Sequence, residues 1–131
     1  MKILIADDDF VCRMLLQKLL APLGECVTVI NGLEAINAFR VALAEKSPFD
    51  LLCLDIMMPE MDGQDALKAI RRIEHEYGVP YDKETKILMT TALGDPRNVV
   101  EAYNKGGATT YIVKPITKQG LMERLKEMQL V

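Results

Sequence analysis

Four groups of polar residues that could do chemistry each follow a short apolar run. Asp7 and Asp8 follow Ile3-Leu4-Ile5-Ala6, Asp55 follows Leu51-Leu52-Cys53-Leu54, Thr90/Thr91 follow Ile87-Leu88-Met89, and Lys114 follows Ile112-Val113. A carboxylate at the tip of a buried strand is held rigidly yet left reachable. The turn residues after Asp55, Pro59-Glu60-Met61-Asp62-Gly63, stop its strand and lift the chain away. The recurrence predicts one polar site on an otherwise apolar sheet. If the first and third strands are neighbours, three carboxylates crowd together there. Such crowding costs free energy unless a cation or a proton relieves it. Hard carboxylate oxygens with room for water favour Mg²⁺.

The elements that must carry these residues alternate in type. Candidate strands are 2–6, 25–30, 50–54, 86–90 and 109–113, and candidate helices are 10–21, 32–45, 64–76, 96–105 and 118–128. The helical segments carry apolar residues at turn spacing, as in Val11/Leu15/Leu19, Ala35/Ala38/Phe39/Ala42 and Leu121/Leu125/Met128. Asp95 before Pro96, Gly106-Gly107 and Thr117 supply start and stop signals. Five strand–helix units in succession predict an α/β fold, a parallel sheet covered by helices on both faces. Ile3-Leu4-Ile5-Ala6 is apolar throughout, as a central strand should be, whereas Thr28 among Cys26, Val27 and Val29 suits an edge. Ligands of open α/β sheets bind outside the carboxyl ends of the strands.

Composition narrows the function classes. A chain of 131 residues, 50% hydrophobic and 27% charged, fits one soluble domain. The net charge of −3 comes without a Lys/Arg cluster, which argues against nucleic acid as a direct partner. No apolar stretch approaches the ~20 residues that cross a bilayer, so no membrane insertion is expected. Asp7 arrives too early for a signal peptide. Cys12, Cys26 and Cys53 lack metal-ligand or redox spacing and are expected to be buried free thiols in a reducing cytoplasm.

In their order along the chain, Ile3-Leu4-Ile5-Ala6-Asp7-Asp8-Asp9, Asp55-Ile56-Met57-Met58-Pro59-Glu60-Met61-Asp62-Gly63, Thr91-Ala92 and Tyr111-Ile112-Val113-Lys114-Pro115 resemble the receiver domains of two-component response regulators. The resemblance covers essentially the whole chain and is strongest to stand-alone chemotaxis-type receivers. It implies a single doubly wound, flavodoxin-like sheet of five strands in the order 2-1-3-4-5 with five helices. Residues 1–131 would form one receiver domain without an output domain. By resemblance Asp55 is the phosphoacceptor, served by a sensor histidine kinase or a phosphotransfer protein. Asp8, Asp55 and the backbone carbonyl of Met57 would bind Mg²⁺ directly, with Asp7 acting partly through water. Thr91 would hydrogen-bond the acyl phosphate and Lys114 would pair with a phosphoryl oxygen. Tyr111 would change exposure when Thr91 moves, and the Lys114–Pro115 peptide would be cis. The chain would be a cytoplasmic switch and not a conventional enzyme. It would act on a downstream protein target, as a monomer or at most a weak dimer.

The chemistry agrees with these implied roles. Phosphoryl transfer needs an in-line nucleophile and positive charge on the equatorial oxygens. Asp55 supplies the first, and Mg²⁺ with Lys114 supplies the second. Thr91, a neutral donor, can couple the phosphoryl group to loop position. Two features depart from the family. Segment 74–85 is a longer link than usual and is expected to form a surface excursion. Met57 and Leu93, which would flank the acyl phosphate, are both apolar. Slow self-dephosphorylation is therefore expected.

Plainer readings exist for each residue. One of Asp7, Asp8 and Asp9 is expected to cap the first helix. Lys114 alone would be an ordinary strand-end lysine, and Tyr111 a half-buried strand aromatic. His75, the only histidine, has no nucleophile or ligand cluster around it, and the charges of the last helix suit a solvated face. A haloacid-dehalogenase-type phosphatase is a rival function, since Asp7-Asp8-Asp9-Phe10-Val11 fits its Asp-x-Asp-x-Val opening with Asp7 as nucleophile. It lacks the paired acidic residues expected after the lysine and leaves Asp55 unexplained. A flavodoxin-like cofactor carrier would need a phosphate cradle where three aspartates stand. A phosphorylation-independent pseudo-receiver would not need the full acid, Thr and Lys set.

Overall fold

Side chains alternate across each strand, and every central strand is apolar on both sides, so the sheet must be covered twice. The computed structural model describes residues 1–92 and 107–131. Five strands pair in parallel: β1 (Lys2–Ala6), β2 (Glu25–Val29), β3 (Leu51–Asp55), β4 (Lys86–Thr91) and β5 (Thr110–Val113). Their spatial order is β2-β1-β3-β4-β5, so β1 and β3 are neighbours and β2 is an edge, as expected. Among the described residues the α-helices are α1 (Phe10–Leu20), α2 (Gly32–Ala44), α3 (Gly63–Glu76) and α4 (Lys118–Glu127). The expected helix 96–105, its cap Asp95 and Leu93 lie outside the described residues. Elsewhere the expected boundaries agree to within one residue, the ordinary play of element ends.

One face of the sheet presents Leu4, Leu52, Leu54, Ile87 and Met89 to the apolar stripes of α2 and α3, including Phe39, Leu67 and Ile70. The other presents Ile3, Ile5, Leu51, Cys53, Leu88 and Ile112 to Leu16 and Leu20 of α1 and Leu121 and Leu125 of α4. β3 is buried along its whole length, which fixes the residue at its tip.

Helix starts are set by side-chain caps, each satisfying a backbone N–H that the first turn leaves free. Asp9 caps α1 by accepting from Val11 N at 3.1 Å. Asn31 caps α2, Asp62 caps α3 and Thr117 caps α4 in the same way. Cys12 and Cys53 are buried free thiols, but Cys26 on the edge strand is only half-buried. His75 stands exposed in the last turn of α3.

The link after α3 runs over the surface in its middle, residues 76–83, as expected, but is buried at both ends, Glu74 and Thr85. Glu74 accepts from Arg71 Nη1 at 2.6 Å and from Thr85 N at 2.8 Å, and Arg71 also donates to the carbonyls of Thr85 and Gly107. A charged residue enters the interior when it is paired and hydrogen-bonded. Both Glu74 oxygens are engaged, and with Arg71 the residue joins α3 to the start of β4 and the approach to β5.

Candidate functional site

The carboxyl ends of β1, β3 and β5 bring together Asp7, Asp8, Asp55 and Lys114. Asp55 ends β3, in register with Thr90 of β4, and Ala6 of β1 is in register with Leu54. Asp7 follows β1, where its backbone N–H donates to Val29 O at 3.2 Å. Asp7 is fully buried, Asp55 is 3% exposed, and Asp8 faces solvent. One carboxylate oxygen from each of the three lies within 4.8 Å of the others.

Lys114 enters from β5. Its ammonium is 3.1 Å from Asp7 Oδ2 and donates to Asp55 Oδ2 at 3.3 Å. Its backbone N–H donates to Thr91 O at 2.7 Å, and the peptide to Pro115 is cis. The other oxygens are held by the backbone. Asp7 Oδ1 accepts from Asp9 N at 2.8 Å, and Asp55 Oδ1 accepts from Met57 N at 3.2 Å. Arg13, which the sequence did not single out, donates to the Asp7 carbonyl at 2.7 Å while stacking over Phe10.

The loop after Asp55 turns back tightly. Glu60 has a positive φ of 69°, and Met61 N donates to Pro59 O at 2.8 Å. Gly63 N then donates to Ile56 O at 2.8 Å, which brings the start of α3 directly under the tip of β3.

Thr91 joins this group through its backbone carbonyl, which accepts from Lys114 N. The Thr91 hydroxyl, although buried, is 3.4 Å from its neighbour's carbonyl, Ala92 O. Tyr111 is half-buried and packs against the α2/α3 face. Met57 turns its side chain outward, 62% exposed.

Electrostatics follow from this crowding. Burial, reinforced by the charge of Asp7, raises the Asp55 pKa to about 7, against the opposing pull of Lys114 and the Met57 N–H. Burial works to lower the Lys114 pKa, but Asp55 and Asp7 outweigh it and the net shift is upward. The Cys12 thiol is pushed up to about 12 by burial and by Asp7, which leaves it unreactive.

Asp7 Oδ2 is buried and makes no hydrogen bond, although the Lys114 ammonium is close. Three carboxylates here face the single ammonium of Lys114, and the excess negative charge is a place for a small hard cation; an all-oxygen donor set fits Mg²⁺.

Comparison with known proteins places this geometry in a family. The response regulator receiver domain matches residues 3–126. A chemotaxis protein CheY of Thermotoga maritima is 35% identical over 97% of this chain and 96% of its own length. One from Bacillus subtilis is 36% identical over 96% and 95%. The sensory/regulatory protein RpfC of Xanthomonas campestris is 32% identical over 98% of this chain but only 16% of its own length, so the same unit also occurs within larger proteins. Among solved structures, the Vibrio cholerae chemotaxis protein CheY4 superposes with a TM-score of 0.76 at 31% identity over 99% and 98% of the two chains. A putative response regulator from Chloroflexus aurantiacus gives 0.79 at 30% identity over 97% and 95%. These matches leave the dehalogenase alternative without support. The chain belongs to the response regulator receiver domain family, signalling modules of two-component systems rather than conventional enzymes.

Proposed function

We propose that this protein is a phosphorylation-dependent switch that takes a phosphoryl group from a kinase or phosphotransfer-protein phosphohistidine onto Asp55. The observation that carries this reading is the Lys114 ammonium, 3.3 Å from Asp55 Oδ2 and 3.1 Å from Asp7 Oδ2 within a cluster of three carboxylates. An Asp55 oxygen forms the new O–P bond as the P–N bond breaks, and the imidazole leaves with the bonding pair. Lys114 then moves its charge from the carboxylate to a phosphoryl oxygen. Asp7, Asp8, Asp55 and the Met57 carbonyl would hold Mg²⁺, whose contribution is positive charge against the oxygens of the transferring group. Thr91, at the end of β4, is the donor that can follow the phosphoryl group. Tyr111 on the neighbouring strand is the side chain that responds.

Output is then protein binding near Tyr111 and the last helix, in the manner of the stand-alone relatives that the chain matches along nearly their full length. A cytoplasmic location suits three free thiols, and no helix among the described residues is long and apolar enough to cross a membrane. Incubation with acetyl phosphate and Mg²⁺, read by intact mass, tests the assignment. The wild type gains one phosphoryl group and Asp55→Asn gains none. A label on any other residue would overturn it.

A further inference from the structure

Among the described residues, two buried polar atoms near the site lack a hydrogen-bond partner, and only one of them is a carboxylate oxygen. The second is the hydroxyl of Thr90, a residue 1% exposed. A buried hydroxyl without a partner costs free energy that a methyl group of the same shape would not, so its presence calls for an explanation.

Its place in the sheet supplies one. Thr90 pairs with Asp55 on one side and with Ile112 on the other. Leu88, two residues earlier on β4, shares a cluster with Ile3, Ile5, Leu51, Cys53 and Ile112. Thr90 therefore lies on that same face, as do Asp55, two residues past Cys53, and Asp7, two past Ile5. Lys114 starts from the end of β5, and its ammonium reaches Asp55 of β3 and Asp7 beyond β1. Because β4 lies between β5 and β3, the lysine side chain must cross β4. Leu88 and Thr90 are the last two β4 residues on that face, so Thr90 is the polar floor beneath the span.

We propose that Thr90 is a positioning residue for Lys114. When the ammonium leaves Asp55 Oδ2 for a phosphoryl oxygen, the Thr90 hydroxyl accepts one of its remaining N–H donors and fixes the new rotamer. An ammonium has three donors and can serve a phosphoryl oxygen and a hydroxyl together. The hydroxyl is thus unsatisfied in the resting state because its partner arrives only with the phosphoryl group. This inference rests on Asp55 being the phosphoacceptor.

The test compares Thr90→Val, Thr90→Ser and wild type, alone and combined with Lys114→Met. Phosphorylation rate with acetyl phosphate and Mg²⁺, and urea stability without a phosphoryl donor, are both measured. Thr90→Val is expected to be as stable as wild type or more so, yet to phosphorylate about tenfold more slowly, the scale of one hydrogen bond to a charged group. Thr90→Ser keeps the hydroxyl and should restore the rate. In the Lys114→Met background the Thr90→Val effect should vanish. A wild-type rate in Thr90→Val, or an undiminished loss without Lys114, overturns the positioning role while leaving the Asp55 assignment standing. Absence of any phosphoryl group on wild-type Asp55 overturns both.

Discussion

Gly63 lies directly beneath Asp55: a Cβ built on Gly63 would sit 2.2 Å from the Asp55 carbonyl oxygen and 2.7 Å from Ile56 Cα. The start of α3 and the tip of β3 are in backbone contact, and neither can yield without moving the other. The position of the Asp55 carboxylate is thus set by a residue eight places along the chain.

Gly63→Ala should therefore displace the strand tip. Overpacking against backbone is expected to cost about 1–3 kcal/mol, measured as a lower urea midpoint, and to weaken Mg²⁺ affinity by calorimetry. Wild-type stability with wild-type affinity would show that the close approach does not hold the site.

Asp55 makes resting stability depend on pH. Its pKa is raised from 3.8 to about 7 in the folded protein, chiefly by burial and then by Asp7. A raised carboxyl pKa means that folding favours the protonated form. The stability is fully present below the ordinary value and is lost as pH rises toward about 7. Each unit corresponds to about 1.4 kcal/mol. Without divalent ions, Asp55→Asn should be more stable than wild type at about pH 8, and the difference should shrink as the pH is lowered toward about 4. Equal urea midpoints at both ends of that range would contradict the burial argument.

The apolar residues beside the site predict a long-lived phosphoryl group. Met57 is exposed next to Asp55 and offers no group to hold an attacking water, and Leu93, expected on the other flank, lies outside the described residues. Met57→Asn supplies an amide at that position and should speed dephosphorylation about tenfold, the effect of one oriented hydrogen bond. Phosphate release timed after removal of the donor gives the answer, and an unchanged half-life would count against the idea.

Lys114 occupies the notch that a metal would share. Lys114→Met removes a competing cation within 3.3 Å of two carboxylates, so Mg²⁺ affinity should be unchanged or tighter. The same substitution removes charge from the transferring phosphoryl group, and phosphorylation should slow about a hundredfold. A parallel loss of both would make the lysine a general organiser of the notch instead.

The layered fold was legible because burial writes a period into the sequence. Ile3-Leu4-Ile5-Ala6 and Leu51-Leu52-Cys53-Leu54 are apolar on both faces because helices cover both, and Thr28 betrays the edge. The acidic cluster was legible because polar residues end apolar strands. What stayed hidden depends on distances between elements, which periodicity does not encode. Glu74 reads as the start of a surface excursion until Arg71 and the Thr85 N–H close around it. Thr90 reads as the lesser of two adjacent threonines until its hydroxyl is found without a partner.

Glu74 provides the last prediction, because its network sits at the far end of the sheet from Asp55. Glu74 is 1% exposed, its Oε1 is 2.6 Å from Arg71 Nη1, and its Oε2 accepts from Thr85 N. Glu74→Ala would leave a largely buried guanidinium and a buried backbone N–H without their acceptor. Removing one partner of a buried pair typically costs about 3–5 kcal/mol. The partial exposure of Arg71 places this case toward the lower end. Glu74→Gln keeps an acceptor and should recover part of the loss. The network holds α3 against β4 without touching Asp7, Asp55 or Lys114. The folded fraction of each variant should therefore phosphorylate at the wild-type rate. Urea titration and the acetyl phosphate assay separate the two effects, and a slowed reaction in fully folded Glu74→Gln would tie this end of the sheet to the site.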